Sequence, residues 1–182
     1  MSRTQWTLMI VAIAAMIAGL AVALRVSPPA PVPAPAAPAP TGVLTTEWKD
    51  LDGQPQALAQ FKGKLLVLNF WATWCAPCVE EMPDLQRVQD EYAARGVSVI
   101  GMGIDAVPAM RRFRDEHKLS LTLLAAAAGG TELARELGNA SGALPFTVLI
   151  DSDGRIAQRR LGRISAAELR LWLDAKLGPR PG

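Results

Sequence analysis

The chain has 182 residues, 50% of them hydrophobic and 20% charged, which suits one ordinary globular domain and excludes a wholly disordered or collagen-like chain. Its formal charge of +2 comes from 19 basic and 17 acidic side chains. Arg3 and Arg25 are the only charges before Glu47, and setting them aside leaves 17 against 17, which excludes a strongly basic nucleic-acid-binding face.

Trp6 to Leu24 reads WTLMIVAIAAMIAGLAVAL, nineteen positions without a charge, and roughly 20 apolar residues at about 1.5 Å rise span a bilayer core. This is a membrane segment or a signal peptide. Ala21-Val22-Ala23 has the A-x-A form of a cleavage site, but the apolar run exceeds the roughly 7 to 15 residues of a signal core, which favours a retained single-pass anchor over a cleaved, secreted form. Arg3 and the α-amino group place the N-terminus in the cytoplasm, and in a bacterial source the rest would lie outside the inner membrane. Residues 26–40 carry seven of the 14 prolines and no charge, a composition that favours an extended polyproline spacer. The expected organisation is therefore an anchor over 1–25, a Pro/Ala-rich linker over 26–42, a globular domain over 43–178 and a tail over 179–182.

Within that domain apolar runs alternate with amphipathic stretches, the pattern of an α/β fold. Asp52-Gly53 marks a hairpin turn. Leu65–Trp71 and Val97–Ile104 are near-continuous apolar runs of strand length, as central strands covered on both faces require. Between them Pro83–Arg95 puts Leu85, Val88 and Tyr92 on one helical face, with Gly96 as the stop; parallel pairing of the two strands makes this a right-handed crossover. Pro108 lies near the start of a helix carrying Met110 and Phe113, Leu119–Leu124 holds a short strand, and Thr131 is expected to cap a helix through Leu137 that Gly138 ends. Phe146–Asp151 and Ile156–Leu161 flank a second hairpin turn at Asp153-Gly154. Ser165 and Glu168 form a capping box for a last helix through Leu177, with Leu169, Trp172 and Leu173 inward.

The chain's only cysteines stand in Trp74-Cys75-Ala76-Pro77-Cys78, directly after a buried strand and at the start of a helix. With one histidine they cannot build a four-ligand Cys/His zinc site. A loop this small gains little as a structural staple. At a helix N-terminus, free N–H groups and the helix dipole stabilise an anion and lower the pKa of the first thiol, so Cys75 is the expected attacking thiolate and Cys78 the thiol that resolves a mixed disulfide. Pro77 fits the first helical turn. The alternative of another class is a copper(I)-binding metallochaperone using the same two thiols, with Met82 and Met102 as candidate soft ligands or as core residues. Trp71 is either core or, with Trp74, part of the groove around the thiols. His117, in RRFRDEHK, and the basic cluster Arg159-Arg160-Leu161-Gly162-Arg163 read as solvated positions.

The segment Leu68 to Cys78, LNFWATWCAPC, resembles the active-site strand and helix start of thioredoxin-like proteins. With the apolar N-terminal span, the chain is similar to the TlpA-like family of membrane-anchored disulfide reductases, related to the cytochrome c maturation thioredoxins. The resemblance runs from about Val43 to Leu177. It implies a thioredoxin-like α/β fold with an N-terminal β-hairpin extension and a central helix–strand insertion, preceded by one transmembrane helix. The stretch Gly142 to Asp151, GALPFTVLID, matches the family's second motif, which implies a cis Leu144–Pro145 bond facing the cysteines and a Leu144 backbone that binds substrate. Asn69 stands where thioredoxin has a buried aspartate and is expected to be a hydrogen-bonding core residue. Glu81 matches a family glutamate three residues past the second cysteine; it is expected to tune the thiols and relay protons, or simply to complement the helix dipole. The catalytic set is thus Cys75, Cys78 and Glu81, with Trp74, Leu144 and Pro145 at the substrate. No cofactor beyond the redox-active Cys75–Cys78 disulfide and no metal is implied. The implied partners are disulfide-containing extracytoplasmic proteins such as apocytochrome c or copper-site assembly proteins, a membrane thiol-electron donor, and the inner membrane itself, with the redox domain in the periplasm. Nucleic acid is not among them.

Overall fold

The computed structural model describes residues 5–6, 39 and 43–178. Past Trp6, the apolar span expected to Leu24 lies outside these residues, as do the linker apart from Ala39 and the tail 179–182. Among the described residues no helix is long and apolar enough to cross a membrane.

The elements in chain order are strands β1 (Glu47–Asp50), β2 (Pro55–Ala57) and β3 (Leu65–Trp71), helix α1 (Ala76–Tyr92), β4 (Val97–Gly103), α2 (Val107–His117), β5 (Thr122–Ala125), α3 (Ala127–Glu136), β6 (Phe146–Ile150), β7 (Ile156–Leu161) and α4 (Ala166–Leu177), with 3-10 turns at Leu58–Phe61 and Ala93–Arg95. One seven-stranded mixed sheet runs in the order β2-β1-β5-β4-β3-β6-β7. The expected parallel pairing of β3 with β4 is present, as are both hairpins. The helix–strand insertion is α2 and β5, and β5 joins the hairpin extension to the sheet by pairing with β4 on one side and β1 on the other.

Side chains on successive strand residues point to opposite faces, and β3 divides two cores in this way. Leu65, Val67 and Trp71 pack with Met82, Leu85 and Val88 of α1, Met110 and Phe113 of α2, and Leu169 and Leu173 of α4. Leu66, Leu68 and Phe70 pack with Leu133 and Ala134 of α3 and with Leu58. Because both faces are covered, every residue of β3 and β4 is buried, which explains apolar runs without alternation.

Two helix boundaries differ from expectation. Helix α1 is continuous from Ala76 through Pro83 to Tyr92; Pro83 forgoes one backbone hydrogen bond without ending the helix. Gly96, at φ +79°, then turns the chain in the left-handed region. Thr131 is not a cap: the cap residue of α3 is Ala126, five residues earlier, with the Gly130 N–H donating to the Ala126 carbonyl at 2.9 Å. The alanines at 125–128 favour helix, and Gly129 serves packing, since a Cβ there would stand 3.3 Å from the Trp48 ring. Gly138 follows that helix as expected, and the Ser165 hydroxyl caps α4 by accepting from the Glu168 N–H at 3.2 Å.

Candidate active site

Strand β3 runs antiparallel to β6, so the C-terminal end of β3 and the N-terminal end of β6 meet at one edge of the sheet. The loop after Trp71 and the Leu144–Pro145 peptide are thereby brought together. That peptide is cis, as the resemblance implies. Pro145 is buried, and its carbonyl accepts from the Gly162 N–H at 2.8 Å, which ties the end of β7 to the same edge. Half-buried Leu144 packs against the core that contains both cysteines.

Cys75 is the N-cap residue of α1 and Pro77 lies in its first turn. Cys75 and Cys78 are joined in a disulfide. Cys75 is 7% exposed and Cys78 fully buried, so an incoming sulfur reaches Cys75 only. The Cys75 sulfur stands at the positive end of the helix dipole, where a thiolate is favoured. Trp74, 69% exposed, projects beside it. Trp71 is core: fully buried, with its ring 5.2 Å from that of Phe113.

Beneath the disulfide lies a buried polar cluster. Glu81, one helical turn beyond Cys78, is fully buried. Its Oε1 accepts from Asn69 Nδ2 at 2.6 Å and its Oε2 from the Ile164 N–H at 2.8 Å. Asn69 Nδ2 also donates to Thr147 Oγ1 at 3.0 Å. Burial pushes the Glu81 carboxyl up to about 7, against the opposing pull of the Ile164 N–H, the Asn69 amide and the Arg163 charge. A carboxyl with that value exchanges protons near neutral pH, which simple dipole compensation would not require. Neighbouring Glu80 is exposed and pairs with Arg163 at 3.2 Å.

A second carboxylate shapes the loop itself. Asp105, just past β4, accepts from the Thr73 N–H at 2.9 Å, from the Thr73 hydroxyl and from the Ala106 N–H at 2.6 Å. Burial raises the Asp105 carboxyl, but these hydrogen bonds outweigh it and hold it below its ordinary value.

Sequence reasoning placed Cys75, Cys78, Glu81, Trp74, Leu144 and Pro145, and the fold gathers them at one edge of the sheet. It missed Thr147, Ile164 and Asp105. Thr147 was visible as the one polar residue in the strand FTVLI, and Asp105 as the acid that ends an apolar run; the Ile164 contribution is a backbone N–H and leaves no mark in sequence. Met82 and Met102 belong to the two cores on opposite faces of the sheet, so they do not join the cysteines in one ligand set. His117 is exposed at the end of α2, its ring stacked 4.1 Å from that of Phe113.

Known proteins share this arrangement. Residues 34–169 match the Redoxin family. The thiol-disulfide oxidoreductase ResA of Bacillus cereus is 34% identical over 127 residues, covering 69% of this chain and 70% of that protein. A thiol:disulfide interchange protein of the thioredoxin family from Chlorobium tepidum TLS superposes with a TM-score of 0.67 at 28% identity, over 81% of this chain and 100% of that one. A secreted Mycobacterium tuberculosis disulfide oxidoreductase homologous to E. coli DsbE gives a TM-score of 0.63 at 27% identity, over 75% of this chain and 99% of its own. With a reactive pair at the head of α1 and likeness along most of its length, the chain belongs to the Redoxin family and is a thiol-disulfide oxidoreductase of the ResA and DsbE type.

Proposed function

We propose that this chain is a TlpA-like, membrane-tethered reductant of disulfides in extracytoplasmic proteins, with apocytochrome c and copper-site assembly proteins as the substrate class. The observation that carries the reading is the asymmetry of the pair, Cys75 reachable at the N-cap of α1 and Cys78 sealed beneath it. The apolar span Trp6–Leu24, the proline-rich linker and the secreted relative support the location.

In the proposed cycle the reduced Cys75 thiolate attacks a substrate disulfide. A Cys75–substrate S–S bond forms as the substrate's own S–S bond breaks, and one substrate sulfur leaves as thiolate. Cys78 then loses its proton to Glu81, and its thiolate attacks the Cys75 sulfur. The Cys75–Cys78 bond forms, the second substrate thiol departs, and two electrons have passed to the substrate. Trp74 and the Leu144–Pro145 backbone hold the substrate segment across Cys75. A membrane thiol donor restores the dithiol.

Titrating the protein's disulfide against glutathione tests the direction. A reduction potential of about −250 mV is expected of a reductant, and one of about −120 mV would make the chain an oxidant.

A further inference from the structure

Asn69 and Thr147 occupy a place that invites a role. They face each other in register across the antiparallel pair β3–β6, on the sheet face covered by α1, and both are fully buried among apolar neighbours. Every group that reaches the Glu81 carboxylate from outside its own helix is a donor or a cation: Asn69 Nδ2, the Ile164 N–H and the Arg163 charge. The Asn69 amide commits its nitrogen to Glu81 and Thr147 together and leaves its Oδ1 buried without a partner. An orphaned buried carbonyl is costly, so this amide orientation holds only because the Nδ2 side is better satisfied. Thr147 Oγ1 accepts the second Nδ2 hydrogen and thereby fixes which end of the amide faces the carboxylate.

We propose that Asn69 and Thr147 are a positioning pair that presents the amide nitrogen to Glu81 and sets the pH at which Glu81 exchanges its proton with the active-site dithiol. The proposal rests on the proton-relay reading of Glu81 given above. Burial alone drives that carboxyl upward, and the Asn69 donor brings it back toward neutrality. The other charges acting on Glu81 are Asp84 on its own helix and Arg163, which is itself paired with Glu80, together with the two thiols in the reduced state. Strands β3 and β6 contribute no ionisable side chain, and the buried residues of α4 are Ala166, Leu169 and Leu173.

The test is the pH profile of the reaction between the reduced full-length protein and insulin disulfides, followed for Asn69→Leu, Thr147→Val, Thr147→Ser and Glu81→Gln. Loss of the donor in Asn69→Leu raises the carboxyl midpoint by about one pH unit, a tenfold change in proton affinity. Thr147→Val moves it the same way by less, and Thr147→Ser, which keeps the acceptor, restores the original midpoint. Should Asn69→Leu fail to fold, the Thr147 pair carries the same comparison. Unmoved midpoints in the Asn69 and Thr147 variants, beside a Glu81→Gln profile that has lost this limb, overturn the positioning pair and leave the Glu81 reading standing. A shift that Thr147→Ser does not restore marks packing rather than hydrogen bonding and also overturns the pair. A limb that persists in Glu81→Gln removes the Glu81 reading and the pair with it.

Discussion

Glu81 is the residue at which stability and chemistry pull against each other. Its carboxyl lies at about 7 in the folded chain against an ordinary 4.5, so between those values the folded state holds a proton that the unfolded state has released. Folding stability therefore falls as pH rises through this window and levels off above it, by roughly 3 kcal/mol over the full difference. Urea denaturation of the oxidised protein at pH 5 and pH 8 measures this fall, and Glu81→Gln should flatten it; equal slopes in the two proteins would mean an ordinary carboxyl. The cysteines make a separate prediction. Cys75→Ser abolishes turnover, whereas Cys78→Ser leaves the attack intact and accumulates Cys75–substrate mixed disulfides, visible on non-reducing gels. The place of the two cysteines at the head of a helix was legible in the sequence, whereas Glu81 was singled out by the family resemblance, and helix geometry puts it one turn beyond Cys78. What spacing could not show is the ring of donors around Glu81, assembled from β3 and from the segment between β7 and α4, 12 and 83 residues away in the chain.

Among the elements, the central strands are where sequence and structure agree most closely, since burial on both faces demands the unbroken apolar runs of β3 and β4. The same packing makes Gly101 of β4 intolerant of a side chain: an added Cβ would stand 2.5 Å from Leu123 Cδ2 and 3.0 Å from Trp71 Nε1. Gly101→Ala should cost about 1–3 kcal/mol through overpacking, read as a lower urea midpoint. The helix ends were less legible where no side chain caps them. Helix α4 announces itself through Ser165, whose replacement by alanine should cost about 1 kcal/mol. Helix α3 starts at Ala127 with Ala126 as its cap residue and no side-chain cap, so the conspicuous Thr131 drew the boundary five residues too late. Gly129 makes room for Trp48, a partner that only the fold brings near.

For the molecule as a whole, strands β1–β7, helices α1–α4 and both cores lie within residues 36–182, which form one compact unit. The only backbone hydrogen bond from the described part of the linker runs inside that unit, from the Ala39 N–H to the Gly154 carbonyl at 3.1 Å. The residues that build the site at Cys75 all lie within 36–182, and the charge pattern separates the same two parts, with Arg3 and Arg25 bracketing the apolar span and a balanced count from Glu47 onward. A fragment of residues 36–182 should therefore keep the reduction potential and pH profile of the full chain while lacking the membrane association proposed for it above. Expressing both forms in a bacterium, separating soluble from membrane fractions and titrating each protein provides the comparison. Membrane association that survives the truncation would sink the tether, and an altered potential would mean that the N-terminal segment acts on the redox site as well as carrying it.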